Sequence, residues 1–160
     1  GVIECVVNGM PAGIVDPVFQ KLDARLASAI MSIGAVKGIE IGDGFGVSTS
    51  TGSTNNDAFT TEHGKVTKKT NHSGGILGGM SDGSPIILRA AIKPTPSISS
   101  IQETITQSHK PTSIQIKGRH DPVIVPRAVV VVESMTAITL VDLLFTNMSA
   151  RMDRLIDFYR

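Results

Sequence analysis

Val129-Val130-Val131-Val132-Glu133-Ser134-Met135-Thr136-Ala137-Ile138-Thr139-Leu140-Val141-Asp142-Leu143-Leu144-Phe145 is the stretch on which the fold turns. Its opening valines favour a strand by propensity, because a branched Cβ packs well on a pleated surface. The residues beyond them favour a helix. Ala137, Leu140, Leu144, Met148 and Met152 recur at intervals of three or four, and Leu155, Ile156 and Tyr159 extend the apolar side. A long C-terminal helix is therefore expected within 123–160, with its start left open. Its first half is apolar on nearly every side, as suits a helix enclosed between two layers. Glu133 and Asp142 interrupt the run 128–145, which argues against a membrane span.

Working outward from this helix, residues 113–117 and 85–93 read as strands. Residues 36–41 alternate Val36, Gly38 and Glu40 with Lys37, Ile39 and Ile41, a strand pattern that runs into the turn Gly42-Asp43-Gly44. Residues 2–7 form a β-branched run closed by Asn8 and Gly9. Between the first two strands, Asp16 as N-cap and Pro17 at the first helical position predict a helix start. Phe19, Leu22, Leu26, Ile30 and Ile33 then follow at helical spacing, and Gly34 ends it. The span 47–72 is rich in Ser, Thr, Gly and Asn without sustained periodicity. A long mobile loop is expected there, either a lid over a site or a tolerated surface insertion. Strands and helices without strict alternation point to an α+β fold: an antiparallel sheet packed on a layer of long helices.

Composition narrows the function classes. With 160 residues the chain fits one domain, and 41% hydrophobic against 18% charged residues excludes wholesale disorder. A net charge of +1 supplies no broad field for nucleic acid or an anionic membrane, so neither partner is expected and any anion site must be local. Cys5 has no second cysteine to pair with and sits in an apolar run, consistent with a reducing compartment. No secretory or transit segment is visible, so a soluble cytoplasmic chain is expected. His63, His72, His109 and His120 lack metal-ligand spacing, and no metal is expected.

Three segments offer local chemistry. Ser73-Gly74-Gly75-Ile76-Leu77-Gly78-Gly79-Met80 lets backbone approach a ligand, although a tight structural turn is the better account of the segment taken alone and the dinucleotide spacing is absent. Lys93-Pro94-Thr95-Pro96-Ser97 presents an ammonium and two hydroxyls on a backbone stiffened by two prolines. That set suits a phosphate group; a rigid strand exit with a solvated lysine is the plainer account. Arg119-His120-Asp121-Pro122 places a cation and a carboxylate two residues apart, on one side if the segment is extended, unless both are simply solvated.

These segments occur in order with Gly9-Met10-Pro11-Ala12-Gly13, Lys37-Gly38-Ile39-Glu40-Ile41-Gly42-Asp43-Gly44-Phe45 and Glu133-Ser134-Met135. Together they resemble the chorismate synthase family from Gly1 to about Leu144, and the chain is similar to the C-terminal half of that family's sequences. The resemblance implies a lyase of the shikimate pathway and aromatic amino acid biosynthesis. Its substrate would be 5-enolpyruvylshikimate 3-phosphate, converted to chorismate with loss of phosphate and a ring hydrogen. Reduced FMN is the implied cofactor, and NADP belongs to the same family vocabulary. The implied fold is half of a β-α-β sandwich, and the implied assembly is a homotetramer.

Carried across by position, the resemblance assigns flavin contacts to Gly34, Ala35, Gly78, Lys93, Pro94, Thr95, Pro96, Ser97 and Arg119. Asp121 becomes the candidate for managing the proton at the flavin's reactive nitrogen. Gly34 stands where many relatives carry asparagine, so only a backbone role transfers there. The family's histidine segments and its Arg-rich substrate-gripping segment have no counterpart in this sequence. Full turnover is therefore not expected of this chain alone. A non-catalytic oligomerisation or ligand-binding module is the alternative.

Overall fold

The computed structural model describes residues 1–16 and 18–160. Strand β1 is Val2–Val7, helix α1 is Leu22–Met31 and strand β2 is Val36–Ile41. A 3₁₀ turn at Gly44–Thr49 and the short helix α2, Gly52–Asn55, lead to the hairpin β3, Phe59–Glu62, and β4, Lys65–Lys68. The small hairpin β5, Ile76–Leu77, and β6, Met80–Ser81, precedes the long strand β7, Ile86–Ile92. A further hairpin, β8 at Gln102–Ile105 and β9 at Pro111–Ile114, is followed by helices α3, Val125–Met148, and α4, Met152–Phe158.

The central sheet has the order β1-β7-β2, antiparallel throughout. Alternation of side chains along β7 sends Ile86, Leu88, Ala90 and Ile92 to one face, where all four are buried. Ile3 of β1 and Val36 of β2 join that face, and Leu22, Leu26 and Ile30 of α1 cover it. Helix α3 packs against α1 and β1. The expected α+β architecture, an antiparallel sheet on a layer of helices, is the observed one.

The valines at the start of α3 are helical, which resolves the strand-or-helix ambiguity in favour of the longer-range repeat. The docked face differs from the expected stripe. Val132, Thr136, Thr139, Leu140 and Leu143 are the buried residues, while Met148 and Met152 are exposed. Threonine is tolerated there because Thr136 Oγ1 donates to Val132 O at 2.8 Å and Thr139 Oγ1 to Met135 O at 2.7 Å. The opposite face leaves Val130, Ile138, Val141 and Phe145 between 48% and 66% exposed. Length and a mean hydropathy of 2.0 over an 18-residue window would suffice for a membrane crossing, but the packing of its other face on α1 and β1 reads as a core helix. Arg25 of α1 also pairs with Asp142 at 2.6 Å across that contact.

Three further expectations are corrected. Helix α1 begins at Leu22 with Lys21 in the cap position, not at Asp16, which forms an isolated bridge with Gln20; Pro17 lies outside the described residues. Phe19, expected inside that helix, is 91% exposed. The helix also ends before Gly34. Its C-cap is Ser32, and the left-handed residue is Ala35, at φ 71°.

The span 47–72, expected to lack regular structure, contains the end of the 3₁₀ turn, α2 and the β3–β4 hairpin. The hairpin turn is His63-Gly64, with φ of 50° and 75°. Two positive values match the handedness of a two-residue hairpin loop. The single strand expected at 113–117 overlaps β9 only at Ser113 and Ile114, residues 115–117 lying outside any strand, and the partner strand β8 has only short polar alternation to mark it.

Candidate functional site

Local structure gathers most of the candidate residues at the C-terminal end of α1. Strand β7 ends at Ile92, and the next amide, Lys93 N, donates to Ala35 O at 2.9 Å. Gly34 and Ala35 therefore lie beside the start of the Lys93–Ser97 segment. Ala35 accepts a left-handed conformation that costs an alanine about 1–2 kcal/mol, so the surroundings over-determine it. Gly34 has no such requirement: its φ is ordinary, and a Cβ built there would meet nothing within 4 Å.

The far end of the segment is tied to the Arg119–Asp121 stretch. His120 Nε2 lies 3.0 Å from Ile116 O, and a carbonyl only accepts, so that nitrogen carries the proton. In the neutral ring Nδ1 then accepts from Ser97 Oγ at 3.0 Å. Pro96 O also accepts from Gln102 Nε2 at 3.3 Å, linking the segment to β8. Lys93 is exposed, as is Arg119, which makes no ion pair among the described residues. Asp121 turns toward α3, with its Oδ2 2.7 Å from Arg127 Nη1. Of the two charges expected on one side of an extended segment, Asp121 is in an ion pair with Arg127 and Arg119 is exposed.

Thr95 supplies the most pointed observation. Its Oγ1 is buried yet has no hydrogen-bond partner among the described residues. Leaving a buried hydroxyl unpaired costs about 1–3 kcal/mol, a cost that a group bringing an acceptor or donor would offset; Asn55 Oδ1, Thr67 Oγ1 and Arg89 Nε are also without partners among the described residues. With the exposed Lys93 ammonium two residues away, the segment fits an anionic ligand of phosphate type.

Gly78 belongs to a different place. It sits in the β5–β6 turn at φ 61°, with nothing within 4 Å of a built Cβ. That turn is fixed against the opposite end of α1, where Leu22 N donates to Gly79 O at 2.8 Å. The ten residues of α1 separate it from Gly34 and Ala35 by roughly 15 Å of helix rise. The structure therefore groups Gly34, Ala35, Lys93–Ser97 and Arg119–Asp121, and does not bring Gly78 to them.

Sequence reasoning passed over a buried ion cluster near that turn. Lys68 Nζ is 2.5 Å from Asp82 Oδ2 and 3.9 Å from Asp57 Oδ2, with all three side chains at most 8% exposed. Burial would raise the Asp57 pKa, but donation from the Ser73 hydroxyl and amide, Thr70 and the His72 amide outweighs it and holds the carboxyl well below the usual range. Burial opposes ionisation of Asp82 too. The Lys68 ammonium and the amide and hydroxyl of Ser84 prevail, and its pKa is lowered. A cavity of about 540 Å³ adjoins the cluster, lined in part by Asn55, Asn56, Phe59 and Leu77, the neighbour of Gly78. The two aspartates and the lysine are scattered over a polar span, and no local spacing marks them as partners. Among the described residues no group of His, Cys, Asp and Glu side chains is placed to hold a metal.

An antiparallel sheet covered by helices defines an α+β protein. Comparison with known proteins makes the class particular. The chorismate synthase family model matches residues 1–145, and the chain belongs to that family. Chorismate synthases of Agathobacter rectalis and Lachnospira eligens are each 66% identical over all 160 residues. The chain spans 44% of either relative's length. A crystal structure of chorismate synthase superposes with a TM-score of 0.75 at 32% identity, covering 99% of this chain and 42% of that one.

Proposed function

We propose that this chain forms the flavin side of a chorismate synthase, a lyase that converts 5-enolpyruvylshikimate 3-phosphate to chorismate with loss of phosphate, using reduced FMN. The observation that carries the reading is the buried, unpaired Thr95 hydroxyl within a segment held between Ala35 and His120. When bound, reduced FMN supplies the electron density that assists departure of phosphate from the ring. The chain's own residues position and neutralise. Lys93, Thr95 and Ser97 bind anionic or polar oxygens of the cofactor, while Pro94 and Pro96 limit the freedom lost on binding. Gly34 and Ala35 would present backbone at the C-terminal end of α1 and Gly78 at its N-terminal end, the cofactor lying along the helix between them.

Arg119 would offset negative charge on cofactor or substrate, and Asp121, its carboxylate oriented by Arg127, would accept the proton that leaves the flavin's reactive nitrogen. A substrate bearing two carboxylates and a phosphate needs several cations. Among the described residues this cluster offers Lys93, Arg119 and the already engaged Arg127, so the chain alone binds cofactor better than it turns over substrate. A cytoplasmic location and assembly into a homotetramer go with this reading, and the exposed apolar face of α3 supports association.

Quenching of FMN fluorescence by the chain tests the proposal. Saturable quenching that is lost in a Lys93→Ala, Arg119→Ala double variant supports it. No quenching by the native chain favours a binding or assembly module without flavin.

A further inference from the structure

We infer that the buried Asp57–Lys68–Asp82 cluster is a positioning device for the β5–β6 turn, and through it for the flavin contact at Gly78; the inference rests on the flavin reading above. The segment Ser73–Ser81 cannot hold itself. Gly74, Gly75, Gly78 and Gly79 all have positive φ, and glycine loses more freedom on ordering than any other residue.

The cluster grips this segment at both ends. At its entry, Asp57 accepts from Thr70 Oγ1 at 2.7 Å, His72 N at 2.8 Å, Ser73 N at 3.0 Å and Ser73 Oγ at 2.6 Å. At its exit, Asp82 accepts from Ser84 N at 2.9 Å, while Asp82 N donates to Gly75 O at 3.0 Å. Lys68, from the β3–β4 hairpin, joins the two carboxylates and fixes the distance between entry and exit. Asn71 adds a brace inside the loop, accepting from Gly75 N at 2.7 Å and donating to Pro85 O at 2.8 Å. A buried ion cluster is a poor choice for stability alone, because apolar side chains of similar size often serve as well. What its directional bonds add is a defined geometry.

A double-variant cycle read by FMN fluorescence quenching tests this. Lys68→Met and Asp57→Asn are each expected to weaken FMN affinity by about tenfold or more, since small displacements of a contact cost at least that much. Acting through Gly78, they should show little additional effect on top of Gly78→Ala, while their losses multiply with that of Lys93→Ala. Lys68→Arg, which keeps the bridging charge, should restore most of the affinity. Asp57→Asn retains an oxygen acceptor and carries the test alone if Lys68→Met does not fold. Unchanged affinity in Asp57→Asn and Lys68→Met overturns the inference while leaving the flavin reading intact. So do losses that multiply equally with Gly78→Ala and Lys93→Ala, the pattern of general destabilisation. Absence of quenching by the native chain overturns both.

Discussion

The two ends of α1 are built on opposite principles. At its N-terminal end the glycine turn is backed by a cluster in which Asp57, Lys68 and Asp82 are buried and engaged by donors or by one another. At its C-terminal end the Lys93–Ser97 segment is held by one backbone bond to Ala35 and by side-chain bonds from Ser97 to His120 and from Gln102 to Pro96 O, keeps its lysine exposed and leaves the Thr95 hydroxyl unpaired among the described residues. The first region pairs its charges internally, although Asn55 Oδ1 and Thr67 Oγ1 beside it are buried without partners among the described residues. The second has no such ion cluster and leaves the Thr95 hydroxyl unengaged among the described residues. Loss of a side chain should therefore unfold the first region and disarm the second.

The sharpest way to break this contrast is Lys68→Ala. Removing one partner of a buried ion cluster strands the two carboxylates, and a loss of about 3–5 kcal/mol is expected in urea denaturation. A loss under about 1 kcal/mol, the range of exposed pairs, would erase the distinction between the two ends.

Acid titration gives the next effect. Asp57 and Asp82 have folded pKa values below the ordinary 3.8, so each contributes stability that is present above that value. That contribution declines as pH falls below about 4 toward the depressed folded values. The urea midpoint should drop between pH 5 and pH 2, and Asp57→Asn should flatten the drop.

Backbone strain offers a smaller and oppositely signed test at the other end. Ala35→Gly relieves the left-handed alanine and should raise stability by about 1 kcal/mol, less what glycine's unfolded-state freedom removes. The Tm measured by calorimetry reads this. Smallest of all, Ser97→Ala removes one part-buried hydrogen bond to His120 and should lower stability by about 0.5–1 kcal/mol in urea denaturation, while weakening FMN binding.

How much of this was legible in the sequence follows from the range of each signal. Strands β1 and β2 and the core of β7 are visible because β-branched residues and alternation operate within a few positions. The candidate residues near Lys93 and Arg119 come from motifs, and the fold places those two motifs together through Ser97 and His120. Other features are invisible for physical reasons. The docked face of α3 cannot be read from a helix apolar on most sides, because only its contact with α1 and β1 selects Val132, Thr136 and Leu143.

The β3–β4 hairpin hides in a Thr- and Lys-rich span whose turn, His63-Gly64, lacks the usual Asn or Asp. The cluster of Asp57, Lys68 and Asp82 joins residues 25 positions apart at its extremes, a separation no local pattern encodes. The start of α1 was misplaced for the converse reason. Asp16 followed by Pro17 is a strong local signal, yet Asp16 is committed to a bridge with Gln20, and the helix waits until Leu22 can enter the core.

On the function proposed above, the residues at the C-terminal end of α1 bind FMN. Titration of the native chain and of the Lys93→Ala, Arg119→Ala variant with FMN, followed by fluorescence quenching, tests it most directly. Saturable quenching by the native chain, and its loss in a variant whose urea midpoint is unchanged, is the predicted result. Equal quenching by both proteins, or none by the native chain, would contradict it.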